Sequence, residues 1–241
     1  THHIQVSGDP DETIFGSGGG ILSWVNSKAF LETGDSEKSQ GWCPAIIDYN
    51  GDGKIGAFTR PPEPAEPGLD RQVPIGGYGV SWNPVDGSVW IASGGGVPGT
   101  IARIQRGANP PSTCKTEVYE PPYKNPKLPG VMGATPRGID VDRNGIVWTA
   151  LATTGQLASF DRRKCKVLIG PTATGQHCPE GWTLYPTPGL RFQGVAATDQ
   201  LNSDFLYYNW VDRFDTFGLG ANTPIATGTG SDSLQALDPT T

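Results

Sequence analysis

The segment from Gly79 to Arg106 recurs, degenerate but legible, from Gly138 to Arg162, and a recurrence of that size restricts the chain to a repeat architecture. The first copy reads G-V-S-W-N-P-V-D-G-S-V-W and, after a Gly-rich turn, G-T-I-A-R-I-Q-R. The second reads G-I-D-V-D-R-N-G-I-V-W and then G-Q-L-A-S-F-D-R. Gly79 aligns with Gly138, Trp90 with Trp148 and Ala102 with Ala158, so subtraction gives periods of 59, 58 and 56 residues. A fainter third copy places Gly194-Val195 56 residues after Gly138 and matches Val211 to Asp215 with Leu157 to Asp161. Each unit consists of short alternating strands separated by Asp-Gly or Asn-Gly turns, the chemistry of tight hairpins. The expectation is an all-β fold, a β-propeller-like array of short antiparallel blades. The repeats fall near 75–115, 116–170 and 171–215 of a single domain spanning 1–241.

Three repeats are fewer than the typically about 4–8 blades of a closed propeller. Gly19 to Val25 (G-G-I-L-S-W-V) resembles the strand at Gly99, yet no Gly-to-Trp strand pair precedes it, so the chain reads as beginning inside a blade. After Phe214-Asp215, P-I-A-T-G-T-G-S-D-S-L-Q-A-L reads as the opening of another blade. Either unrecognised blades supply the rest or the chain is a piece of a longer protein and the propeller is incomplete; the second reading is preferred. Two Pro-rich insertions, Arg60 to Pro74 and Glu120 to Pro136, read as surface loops, because proline removes a ladder donor. Ser27 to Glu32 is the best helix candidate.

The chain has 34 Gly and 22 Pro, which act as punctuation between strand-like runs, while seven Trp, eight Phe and seven Tyr argue for a packed core rather than disorder. A net charge of −6 speaks against nucleic acid as a partner. There is no apolar run of about 18 residues to span a membrane, and no signal peptide at the first residues. Four cysteines in a loop-rich β chain point to two disulfides, with Cys43–Cys114 and Cys165–Cys178 the preferred of the three possible connectivities, and to a secreted or periplasmic location. The competing readings are four reduced thiols, or a zinc site using Cys165, His177 and Cys178.

Two constellations carry chemistry. In D-Y-N-G-D-G-K-I, Asp48, Asn50 and Asp52 occupy positions 1, 3 and 5 of an EF-hand-like loop, Gly53 supplies its turn, and Lys54 would offer a carbonyl. This pattern predicts a structural Ca2+. Thr59 stands at position 12 where a bidentate Glu is usual, leaving Glu63, Glu66, Asp70 or water to complete the shell; without a cation the segment is a polar hairpin. The second constellation follows from the repeat. Tyr78, Arg137 and Gln193 immediately precede the three repeat glycines, and equivalent positions in a radial array converge on one axial funnel. A phenol, a guanidinium and an amide there would hold an anionic or carbonyl-bearing ligand. The alternative is that they satisfy strand-end backbone groups.

The pattern seen best from Pro136 to Arg162, P-x-G-I then D-x-x-G-x-V-W then G-x-L-A-x-F-D, resembles the repeat of streptogramin B lyase-like (virginiamycin B lyase-like) β-propellers. The resemblance covers the repeat strands of about three blades. It implies the propeller scaffold, and by family habit a magnesium- and glutamate-assisted elimination that uses histidines just before the repeat glycine to open a cyclic depsipeptide. Those positions hold Tyr78, Arg137 and Gln193 here, while His2, His3 and His177 fall elsewhere in the sequence. A more distant resemblance is to exported bacterial proteins joining such a propeller to a carboxypeptidase-regulatory-like domain.

Other chemistries have less support. No G-x-S-x-G elbow occurs, and Ser93-Gly94-Gly95-Gly96 lacks the helix and Lys of a phosphate loop. Trp90 and Trp148, at equivalent repeat positions, read as core; Trp42 and Trp182 read as packing on disulfides. Two functions follow. One is an exported propeller that binds a small molecule or protein and is stabilised by calcium and disulfides. The other is a lyase or hydrolase acting in the funnel, with Arg137 as electrophilic stabiliser and Tyr78 as acid–base group.

Overall fold

The computed structural model describes residues 3–188, 193–194 and 202–238. Its strands form four sheets, each meandering outward from a first strand. The first blade comprises β1 (Ile4–Val6), β2 (Thr13–Gly18), β3 (Ile21–Asn26) and β4 (Gln40–Pro44), with helices α1 (Ser27–Thr33) and α2 (Ser36–Ser39) between the last two strands. Asn26 caps α1 by accepting a hydrogen bond from the Ala29 N–H, and Gly34 ends it at φ 65°, so the expected helix forms. Short strands β5 (Ile46–Ile47), β6 (Phe58–Thr59) and β7 (Asp70–Gln72) follow.

The second blade is β8 (Gly79–Trp82), β9 (Val89–Ala92), β10 (Ile101–Gln105) and β11 (Lys115–Tyr119), extended outward by β5, β7 and β6 in that order. The third is β12 (Pro136–Val141), β13 (Val147–Leu151), β14 (Gln156–Phe160) and β15 (Trp182–Pro186). The fourth is β16 (Leu206–Asp212), β17 (Thr223–Gly228) and β18 (Ser233–Ala236). The described chain is therefore an all-β, propeller-like array of four blades, antiparallel except where β5 joins β11 and β6 joins β7 in parallel.

Blade faces explain the patterning. Along β9, Val89 and Ile91 pack toward the first blade with Phe15 and Leu22, while Trp90 and Ala92 pack toward the third with Ile139 and Phe160. One blade later, Val147 and Leu151 face back and Trp148 and Ala150 face Leu206, Val211 and Ala226 of the fourth. Period-two alternation thus survives in the second and third blades, but both faces are apolar because each of these two sheets is covered on both sides. Trp90 pairs with Ser81, and Trp148 with Asp140, at the same register. The two tryptophans are structural equivalents, as the repeat requires.

The repeat glycines mark where neighbouring first strands approach most closely. A Cβ on Gly138 would lie 2.4 Å from the Asn209 backbone nitrogen, and one on Gly79 would lie 2.9 Å from the Arg137 carbonyl oxygen. Polar clamps tie the same strands. The Asp140 carboxylate accepts from the Ser81 hydroxyl at 2.7 Å and from the Val211 N–H at 2.9 Å. The buried Asn209 amide donates to the Trp148 carbonyl at 3.1 Å and accepts from the Ala150 N–H at 2.8 Å.

Several sequence readings change. Two strands precede Gly19, so the G-G-I-L-S-W-V segment is the third strand of a blade whose first two lack the Gly and Trp signatures. Val211 ends a first strand rather than echoing the third strand at Leu157, and P-I-A-T-G-T-G continues the fourth blade as β17. Val195 lies outside the described residues. The second to fourth blades run Gly79–Tyr119, Pro136–Pro186 and Leu206–Ala236, offset from the ranges read from the repeat because β15 follows β14 only after the excursion 161–181 and the last blade opens at Leu206 rather than near Gly194. The Arg60–Pro74 insertion is largely exposed, yet Asp70–Gln72 within it is paired on both sides, its prolines lying outside the ladder.

Both expected disulfides form, Cys43–Cys114 and Cys165–Cys178, which leaves no thiol for zinc. Trp182 packs in the cluster that contains Cys178, whereas the Trp42 side chain is 47% exposed.

Candidate functional site

Arg137 lies at the start of β12, and its guanidinium carbon is 4.1 Å from the centre of the Tyr78 ring and 4.3 Å from that of Tyr207. Phe205 stands 5.6 Å away on the same side chain. Distances near 4 Å between a guanidinium and ring centres are those of cation–π contact. Tyr78 immediately precedes Gly79 and Arg137 precedes Gly138, so the repeat brings these two together as expected.

Gln193 is not the third member. It sits exposed in a turn outside any strand. The close approach of Gly138 to Tyr208 and Asn209 shows that Tyr208 holds the repeat-glycine position in the fourth blade, which makes Tyr207 the equivalent of Tyr78 and Arg137. The signal was present in the sequence: W-V-D at 210–212 aligns with D-V-D at 140–142 and S-W-N at 81–83, but Tyr208 in place of glycine hid it.

His3 also reaches this mouth, with its ring 4.9 Å from Tyr78 and 4.7 Å from Tyr208. That corrects the reading that all histidines fall away from the funnel, which relied on sequence position rather than on β1 being a first strand. His177 is elsewhere, stacked on Tyr119 at 5.2 Å. His2 lies outside the described residues.

Electrostatics differentiate the three phenols. Burial raises Tyr78 above the ordinary tyrosine value, and its hydrogen bond to Tyr207 adds to that. The exposed Tyr207 hydroxyl is lowered by the Tyr78 hydrogen bond and by that of Arg137. Burial, with the Asp140 charge, pushes Tyr208 up to about 12. For Arg137, burial disfavours the charge, but hydrogen bonds to Tyr207 and Tyr78 outweigh it and the guanidinium is held in its charged form. One guanidinium N–H donates to the Gly94 carbonyl at 3.3 Å. Among the described residues, none of the ion pairs includes Arg137.

These directions make a spectroscopic prediction. In an alkaline titration of tyrosinate absorbance, Tyr207 ionises first, below the ordinary value near 10. Tyr207→Phe should therefore delete the lowest-pH phase and leave the later ones. A phenol depressed on folding favours the folded state above its unfolded value, and that contribution disappears as pH falls through the folded one. Tyr78 and Tyr208, both raised, act in the opposite sense. A first phase unchanged in Tyr207→Phe would refute the assignment.

The Asp48 loop is closed by its own backbone. The Asp48 carboxylate accepts from the N–H groups of Gly51 at 2.7 Å and Gly53 at 2.8 Å. Asn50 accepts from Asp52 N–H, and Asp52 accepts from Lys54 N–H. Glu63 instead accepts from Arg60 N–H, Asp70 accepts from Gly56 N–H, and Thr59 is buried in β6. Among the described residues, no three His, Cys, Asp or Glu side chains converge in a metal-holding group. The Asp48, Asn50 and Asp52 side chains thus fold back onto the backbone of their own loop.

Two partly enclosed cavities lie away from the mouth. One of about 340 Å³ is lined by Tyr49, Pro61, Arg71, Val118 and Glu120, and one of about 250 Å³ by Asp48, Lys54, Glu117 and Arg162.

The fold and this cluster together define a propeller-like β protein with a cationic, aromatic mouth. No protein-family model matches the chain, and no curated protein matches it. Among solved structures it is similar to a catalytically inactive virginiamycin B lyase from Staphylococcus aureus with quinupristin. That match has 10% identity and a TM-score of 0.44, and covers 98% of this chain and 66% of that one. It is likewise similar to a streptogramin B lyase structure, with 16% identity and a TM-score of 0.39, over 99% of this chain and 68% of the other. The chain thus spans about two thirds of the length of these structures, which are of the kind its repeat resembles.

Proposed function

We propose that this chain is an exported, ligand-binding propeller-like protein that holds an anionic or carbonyl-bearing small molecule at the Tyr78–Arg137–Tyr207 mouth. The observation that carries the reading is Arg137, a charged guanidinium fixed between two tyrosine rings and joined to no carboxylate among the described residues. Such a group supplies planar donors for an incoming carboxylate with no ion pair to break among the described residues. The test is NMR observation of the Arg137 Nε–H resonance while carboxylates are titrated to millimolar concentration. Saturable shifts lost in Arg137→Gln support the reading; a resonance indifferent to every carboxylate would end it.

The second reading, a lyase or hydrolase, is favoured by one feature of the same site. Two hydrogen-bonded phenols with opposite shifts, Tyr207 lowered and Tyr78 raised, sit beside a cation that could stabilise developing negative charge. In that reading Tyr207 accepts a proton, Tyr78 acts as acid–base partner, and Arg137 is the electrophilic stabiliser.

Export is supported by the two disulfides. A structural Ca2+ at Asp48, Asn50, Asp52 and the Lys54 carbonyl is part of the proposal and rests on their spacing. At a hundredfold excess over its dissociation constant, calcium would raise stability by about 2.7 kcal/mol. The melting temperature should fall in EDTA and recover in millimolar calcium, and Asp48→Ala and Asp52→Ala should abolish that response. A wild-type melt indifferent to both additions would leave a polar hairpin.

A further inference from the structure

The geometry points to a ring-borne carboxylate as the ligand class, an inference that rests on the mouth reading above: we infer that Arg137 takes the carboxylate while the exposed faces of Phe205 and Tyr207 take the ring that carries it. Phe205 and Tyr207 are 39% and 42% exposed, although both belong to the cluster around one guanidinium. Their ring centres are 6.1 Å apart and tilted by 51°, so they form an angled wall rather than a closed stack. Both rings therefore leave apolar face next to the guanidinium, within reach of a ligand bound to it.

Charge narrows the choice. The chain carries a net charge of −6, so its overall field repels small anions, and one arginine at an open mouth holds acetate or phosphate weakly. Affinity must then come from apolar contact next to the ion pair. Tyrosine faces already occupy positions close to the guanidinium, so a carboxylate meets it along its N–H edge, and the group bearing that carboxylate falls against the neighbouring rings. An extended aliphatic acid would cover little of that wall. A ring covers it, either through the C–H face of a sugar acid or through the π face of an aryl acid.

The experiment compares four probes by calorimetry and by the Arg137 Nε–H resonance: glucuronate, benzoate, acetate and glucose. The expected result is that glucuronate or benzoate binds at least about tenfold more tightly than acetate, while glucose, lacking the carboxylate, shows no binding. Whichever of the two binds more tightly assigns the ring as sugar or aryl. Phe205→Ala should erase the advantage of the ring without weakening acetate, and Phe205→Trp should preserve it, which separates loss of the wall from loss of fold. Equal affinity for acetate and both ring acids, unchanged in Phe205→Ala, would overturn the ring inference and leave the mouth reading standing. No response to any carboxylate would remove both.

Discussion

Glu117→Ala should lower the unfolding free energy by about 3 kcal/mol, because it leaves Arg162 without its carboxylate and Arg103 with only Asp86 and Gln105 beside a buried site. Glu117 is 5% exposed on β11. It accepts from Arg103 at 3.0 Å and from Arg162 at 2.7 and 2.5 Å, and its second oxygen also takes the Tyr119 hydroxyl at 2.6 Å. Arg103 belongs to the second blade and Arg162 follows the third, so one carboxylate joins two blades. The Arg162 guanidinium is raised by this hydrogen bond, and Tyr119 is raised first by burial and then by the Glu117 charge. Denaturant unfolding at neutral pH measures the effect. Tyr119→Phe, which removes one hydrogen bond and no charge, should cost about 1 kcal/mol. A Glu117→Ala loss no larger than that of Tyr119→Phe would show that the network contributes little.

Removing the Cys43–Cys114 bridge should destabilise the chain by about 4 kcal/mol, against about 3 kcal/mol for Cys165–Cys178, on the chain-entropy account of loop closure. The separations are 71 and 13 residues, and the longer loop restrains more of the unfolded ensemble. The first bridge joins β4 of the first blade to the segment entering β11 of the second, across a cluster that holds Phe15, Leu22 and Ile104. Unfolding of the paired Cys→Ala variants, singly and together, gives the ranking. Alkylation under denaturing conditions before reduction should label no cysteine. Four labelled thiols would remove both bridges and the argument for export.

Residues that recur in sequence were read correctly in the structure because the recurrence has a local cause. Gly79 and Gly138 are glycine because adjacent first strands leave no room for a Cβ, and Trp90 and Trp148 fill the same space one blade apart. What recurs less was missed. The first blade lacks both signatures, since Ile4–Val6 is a three-residue strand carrying none of the repeat's marker residues. The fourth has Tyr208 at the glycine position, where the ring packs against His3.

By itself, the sequence determined the β class, the hairpin spacing and two of the mouth residues, Tyr78 and Arg137. All of these depend on features that repeat or on short-range turn chemistry. Only the tertiary structure decided that Tyr207, Phe205 and His3 share the mouth and that Gln193 does not. It also decided that Glu117 bridges Arg103 and Arg162. These groups come from different blades, and their convergence is set by how the sheets lie against one another, a relation that no local spacing encodes.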